Sequence, residues 1–167
     1  MGGSWHIAAE MALADLRLER IVQEGSGPFE RTHRLDRPSL VYLPATGGAP
    51  ALGCFGEARS HRAFTPFGTA VVVPAHTLLR VRSPGFAARD MLILRFEEAA
   101  FQALTGLDAS ASQTELSACA DVRAAPVLAP LERLAVEMAR PATARETIVA
   151  GLGLVALGEL ARHFEAS

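Results

Sequence analysis

Between Pro28 and Phe96 the chain consists of short apolar runs cut by turn signals at Gly27-Pro28, Arg37-Pro38, Gly47-Gly48, Gly56 and Pro84-Gly85. Runs of this length, rich in Val, Leu and Phe and bounded by Gly and Pro, read as antiparallel strands joined by turns. The pattern predicts strands at about Phe29 to Arg34, Ser39 to Pro44, Ala51 to Phe55, His61 to Phe64, Thr69 to Pro74, Leu78 to Ser83 and Asp90 to Phe96. Regular spacing with a turn between each pair suits a sandwich or small barrel.

After Phe96 the periodicity changes. From Pro126 to Arg140, Val127, Leu128, Leu131, Leu134, Ala135 and Met138 recur at helical spacing opposite Glu132, Arg133, Glu137 and Arg140, which defines an amphipathic helix. A second helix is expected from Thr143 to Phe164, with apolar residues over more than one stripe. A shorter one from Glu97 to Leu104 would stop at Gly106. Strands followed by helices make an α+β chain, with a barrel over residues 1–96 and a helical segment over 97–167 packed on it. Near the start, Ile7, Met11, Ala14 and Leu18 can be drawn on a helix, whereas Leu16 to Glu19 alternates as a strand would; propensity alone favours helix.

With 50% hydrophobic and 20% charged residues, the 167-residue chain can bury the core of one domain. Its 16 basic and 18 acidic side chains give a formal charge of −2, so no global positive field attracts nucleic acid or anionic lipid. The uncharged stretch Ile148 to Gly158 is short of the ~20 residues that cross a bilayer. No charged segment followed by an apolar one opens the chain, and Cys54 and Cys119 are far apart, so a reducing cytoplasm is the expected location and core packing the expected role of both thiols.

The stretch Gly68-Thr69-Ala70-Val71-Val72-Val73-Pro74-Ala75 resembles the second conserved motif of cupins, in which the Gly opens a strand and the Pro closes it before a tight turn usually built on Gly. His76 stands at that turn position. In metal-bearing cupins a histidine ligand lies three residues on, where this chain has Leu79, and the His-x-His pair with a following Glu has no counterpart beyond Arg31-Thr32-His33. A catalytic cation needs three or four converging donors, so no metal and no cofactor are expected.

A broader resemblance covers most of the chain from Trp5. The segments Thr69 to Pro84, Arg89 to Phe96, Ala118 to Arg123, Leu128 to Met138 and Leu157 to Phe164 look like the N-terminal sensing half of AraC-type transcription regulators. The resemblance implies a cupin-like jelly-roll barrel that binds a small organic effector, two to three helices that dimerise, and a strand near Leu13 to Val22. Members of that family continue for roughly 100 more residues, the size of a small domain. DNA would be bound by that further half and not by this chain, whose sequence ends at Ser167.

A barrel mouth collects ligand-binding side chains from several strands. Trp5, Tyr42, Cys54, His61, Val72, His76 and Arg80 are the candidate effector-binding residues, with the Trp5 segment as a cover. Arg80 and Arg82 share a strand face; outward is the favoured orientation, and inward they would require an anionic ligand or acidic partners. For the second helix, Leu152, Val155, Leu157, Leu160 and Phe164 are the candidate homodimer contacts, and Gly151, Gly153 and Gly158 suggest close approach of another backbone. The alternative function is a small cupin-type enzyme, an isomerase or dioxygenase, using His33, His61 and His76.

Overall fold

The strands pair as one long hairpin folded over on itself: β2 (Leu16–Ser26) with β9 (Phe86–Phe96), β3 (Phe29–Arg34) with β8 (Leu78–Ser83), β4 (Ser39–Tyr42) with β7 (Ala70–Val73), and β5 (Leu52–Phe55) with β6 (Thr65–Pro66). Further pairings of β4 with β9 and β5 with β8, and of β1 (Trp5–Ala12) with β2, close two antiparallel sheets in the orders β1-β2-β9-β4-β7 and β3-β8-β5-β6. This nested order is that of a double-sheet jelly roll, the architecture of cupins. A computed structural model describes residues 4–44, 49–56, 64–140 and 142–166.

Alternation along the strands gives the five-stranded sheet two apolar faces. Leu16, Leu18, Leu40, Leu92, Leu94 and Phe96 point to one side and are buried with Phe101 of α1 (Glu98–Thr105), Leu131 and Leu134 of α3 (Ala125–Ala139), and Leu157 and Leu160 of α4 (Arg145–Glu165). Burying each such side chain is worth about 1.5–3 kcal/mol, so this layer anchors the helices to the sheet. Gly153 is the contact point on α4, since a Cβ there would collide with the Leu16 side chain. The other face carries the intervening residues of the same strands and looks across to the four-stranded sheet.

The cupin-like turn is present in backbone terms. His76 adopts a left-handed conformation, φ 60°, at the position usually given to Gly. Gly68, the first residue of that motif, is crossed so closely by Asp121 that a side chain would clash, while Ala70 and Val122 form a bridge beyond the strands.

The beginning of the chain is two strands, not a helix. β1 and β2 zip in register with one another and β2 with β9, and the burial this provides overrides the helix propensity of Ala, Glu and Leu. A helix that the strand-and-helix reading lacks, α2 (Gln113–Cys119), starts at a capping box: the Ser112 hydroxyl accepts from the Glu115 N–H and the Glu115 carboxylate accepts from the Ser112 N–H. The expected strand at His61 to Phe64 falls mostly outside the described residues, and Phe64 itself only precedes β6. At 21 residues, α4 is long and apolar enough to cross a membrane by length and composition, a property that the uncharged stretch Ile148 to Gly158 alone does not reveal. In this fold Val149, Gly153, Ala156, Leu157, Leu160 and Ala161 of α4 are covered by the rest of the chain.

Candidate functional site: the interior of the jelly roll

Between the two sheets lies a cavity of about 380 Å³. The five-stranded sheet supplies Ile21 and Gln23 from β2, Val41 from β4, Val71 and Val73 from β7, and Arg89, Met91, Ile93 and Arg95 from β9; the other sheet supplies Phe29, Arg31 and His33 from β3 and Leu79 and Val81 from β8. All carry odd numbers, so that on each strand they are two residues apart, as the two-residue period of a strand requires of side chains sharing a face. Phe67 completes the wall by occupying the place that a side chain on Gly53 would take.

The polar groups in this apolar wall are mostly cationic. Arg95 donates to the Glu19 carboxylate at 3.1 Å, and Glu19, itself buried, also pairs with Arg17 at 3.1 Å. Arg89 has a different environment. Its guanidinium lies over the Phe86 ring at 4.3 Å, Phe86 meets Phe29 edge to face at 6.3 Å between centroids, and Arg31 lies over Phe29 at 5.1 Å. Two cations are thus arranged about one aromatic pair, held by cation–π contacts. Burial lowers the Arg89 pKa from its ordinary value, but a guanidinium keeps its proton. Next to Arg31 on the same face of β3, burial and then the charge of Arg31 hold the His33 pKa below the usual imidazole value, although His33 retains an exposed surface. The ladder sets Trp5, Gln23 and Arg89 in one row across β1, β2 and β9, and Trp5, 57% exposed, forms the rim.

Of the candidate wall residues, Trp5 lines the cavity and the others that are described do not. Tyr42 and Val72 are on the helix-facing side of their strands, one position out of phase with Val41, Val71 and Val73. Burial, followed by the charge of Glu132, raises the Tyr42 pKa. Cys54 is paired with Arg80 in the ladder and so shares its face, opposite to that of Gly53 and Val81. Arg80 and Arg82 both pair with Glu30, at 2.5 and 2.8 Å, beside the Phe64 ring; they face outward, and their two guanidinia keep the Glu30 carboxyl below its usual pKa. His76 sits outside at its turn, 3.6 Å from Glu98. His61 lies outside the described residues.

The histidines of the enzyme alternative are therefore not gathered where they are described, with His33 in the cavity wall and His76 at the outer turn. Among the described residues no cluster of three or more His, Cys, Asp or Glu could hold a metal ion. Among the described residues the cavity wall offers one imidazole and no carboxylate, and Leu79 projects into it from the position where metal-bearing cupins have a ligand. The described residues of this wall do not bring together the three or four donors that a resident cation needs. Both cysteines are free and buried, and burial pushes the Cys119 thiol up to about 12, which keeps it from acting as a thiolate.

Arg89, Arg31, Gln23 and Phe67 are the site residues that reading the sequence missed. In Arg89 to Phe96 the central Met91-Leu92-Ile93-Leu94 is apolar on both faces, because one side meets helices and the other the cavity. Alternation then carries no sign of which side is the interior. The two arginines at odd positions flanking that run were the available signal.

The sequence matches no protein-family model and no curated protein. Among solved structures the chain is similar to a cupin domain from Bordetella pertussis Tohama I, with 13% identity over 57% of this chain and 94% of that one and a TM-score of 0.38. It is also similar to an RmlC-like cupin family protein with a double-stranded β-helix fold from Methanocaldococcus jannaschii, with 8% identity, coverage of 58% and 84%, and a TM-score of 0.40. A cupin superfamily protein from Desulfitobacterium hafniense DCB-2 matches with 11% identity, coverage of 57% and 80%, and a TM-score of 0.39.

Proposed function

We propose that this chain is a ligand-sensing module of the AraC type, cytoplasmic, whose jelly roll accepts a small organic effector and whose helices carry the response to a second copy. The observation that carries this reading is the hollow interior. A cavity of about 380 Å³ is within the size range of small-molecule sites, and an apolar wall with a few converging polar groups is their usual composition. The helices lie on the reverse of the same sheet, so Met91 and Ile93 touch the cavity while Leu92 and Leu94, their neighbours on β9, touch the helical layer. On one strand, residues lining the cavity alternate with residues that meet the helices, so a ligand in the cavity would lie within a residue of the helical layer.

Dimerisation belongs to the same proposal, with its contacts shifted along the helix. Leu157 and Leu160 are core residues, Leu152 and Phe164 are half-buried, and Val155 is 51% exposed. Ile148, Gly151, Val155 and Gly158 recur every three or four residues and make an outer stripe, and a Cβ at either glycine would meet nothing of the described residues within 4 Å. A second copy covering this stripe would account for glycines that the chain's own packing does not need.

Ligand binding in the interior is tested with Ile93→Trp, which fills the cavity from a position that does not touch the helices. Organic compounds are expected to stabilise the native chain against heat and to lose that effect in this variant while its circular dichroism stays native. Stabilisation that survives the block would refute an interior site.

A further inference from the structure

We infer that the cavity selects an organic carboxylate with an apolar body, its carboxylate held at the mouth by Arg89 and Arg31. This rests on the ligand-binding reading above and adds the ligand's charge and shape. The argument is one of unmatched charge. Of the arginines in the wall, Arg95 has its counter-ion in Glu19 within the fold. Arg89 and Arg31 have ring faces instead, and no carboxylate of the described residues lies within ion-pair distance of either.

Position supports the same conclusion. Arg89 and Arg95 share one face of β9 but stand six residues apart, about 20 Å along a strand, so the compensated cation marks one end of that face and the uncompensated one the other. Between them the wall is Met91 and Ile93, facing Leu79 and Val81. A ligand lying along this axis meets cations at its head and aliphatic groups along its body. A guanidinium offers paired N–H donors that fit a carboxylate, and such charge-assisted bonds are about twice as strong as neutral ones. Phe86 and Phe29 hold the guanidinia in place before the ligand arrives, which reduces the ordering that binding requires. Burial and then the charge of Arg31 hold the His33 pKa below the usual imidazole value, so His33 does not add a third positive charge to those of Arg31 and Arg89 at neutral pH.

The test compares matched probes, octanoate with octanamide and 3-phenylpropanoate with its amide, followed through the fluorescence of Trp5, the single tryptophan and a residue of the rim. In the native chain each carboxylate is expected to bind at least about tenfold more tightly than its amide. Arg89→Gln is expected to reduce that ratio to near one without weakening the amide. Arg31→Gln, at an exposed position, repeats the test should Arg89→Gln fail to fold. Arg82→Gln, on the outer face, should leave the ratio unchanged. Equal affinity of acid and amide for the native chain, or a preference that survives both Arg89→Gln and Arg31→Gln, would overturn the inference and leave an interior site for neutral ligands. Failure of all four probes to bind at millimolar concentration would overturn the ligand-binding reading as well.

Discussion

Arg95 and Glu19 meet diagonally across β9 and β2 on the cavity side of the sheet, their side chains 3.1 Å apart and 25% and 7% exposed. Arg17 reaches the same carboxylate, and the Arg17 guanidinium also pairs with Glu10 at 2.8 Å. Glu19 is therefore the internal anion that allows Arg95 to stand in an apolar wall. Glu19→Gln keeps the shape and removes the charge, leaving Arg95 without a full counter-ion. The expected cost is about 1–3 kcal/mol of stability, below that of breaking a fully buried pair because Arg95 is partly wet. Urea unfolding would show it as a lower midpoint at unchanged slope.

His33 gives the fold a pH dependence whose sign can be worked out. Its pKa in the folded chain is lowered by burial and by Arg31, so the unfolded chain binds the proton more readily. Stability from this residue is fully present above the ordinary imidazole pKa of about 6.5 and is lost as pH falls through the folded value. Titration of the His33 ring protons by NMR should give a midpoint below that of the unfolded chain, and Arg31→Gln should raise it. A midpoint unmoved by Arg31→Gln would remove the electrostatic part of this account.

The sequence was informative where a residue has one structural solution. The strands Phe29 to Arg34 and Leu78 to Ser83 are bounded by breakers and appear with those limits, and Gly106 ends α1 in a left-handed conformation, φ 71°, as a stop residue should. Orientation was not legible. Choosing Tyr42, Val72 and Arg80 in place of Val41, Val71 and Val81 is a slip of one residue, and in a strand that inverts the face. Only the partner layers decide the matter: Leu16 under Gly153 fixes the helix side, and Glu30 between Arg80 and Arg82 fixes the outside.

The outer stripe of α4 leads to opposite outcomes for two kinds of substitution. Val155→Asp adds charge at an exposed position and is expected to separate a dimer while the fold survives. Leu160→Asp buries a charge among core side chains and is expected to unfold the chain outright. Sedimentation velocity with circular dichroism distinguishes the two.

Gly151 and Gly158 supply a test by sign. In a monomer, Ala at either position should stabilise the helix by about 1 kcal/mol, because nothing among the described residues occupies the space. Against a second copy the added methyl groups would weaken association, so Gly151→Ala with Gly158→Ala is expected to raise the dimer dissociation constant. Tighter association in the double variant would refute close helix approach at this stripe.

Methyl NMR of the chain titrated with octanoate tests the interior site most directly, because β9 reports on both of its sides. If ligand enters between the sheets, the methyl signals of Met91 and Ile93 shift strongly and saturate with the ligand, whereas those of Leu92 and Leu94, buried toward the helices, respond weakly. Shifts confined to Leu92 and Leu94, or no shift at Met91 and Ile93 at saturating octanoate, would contradict the account.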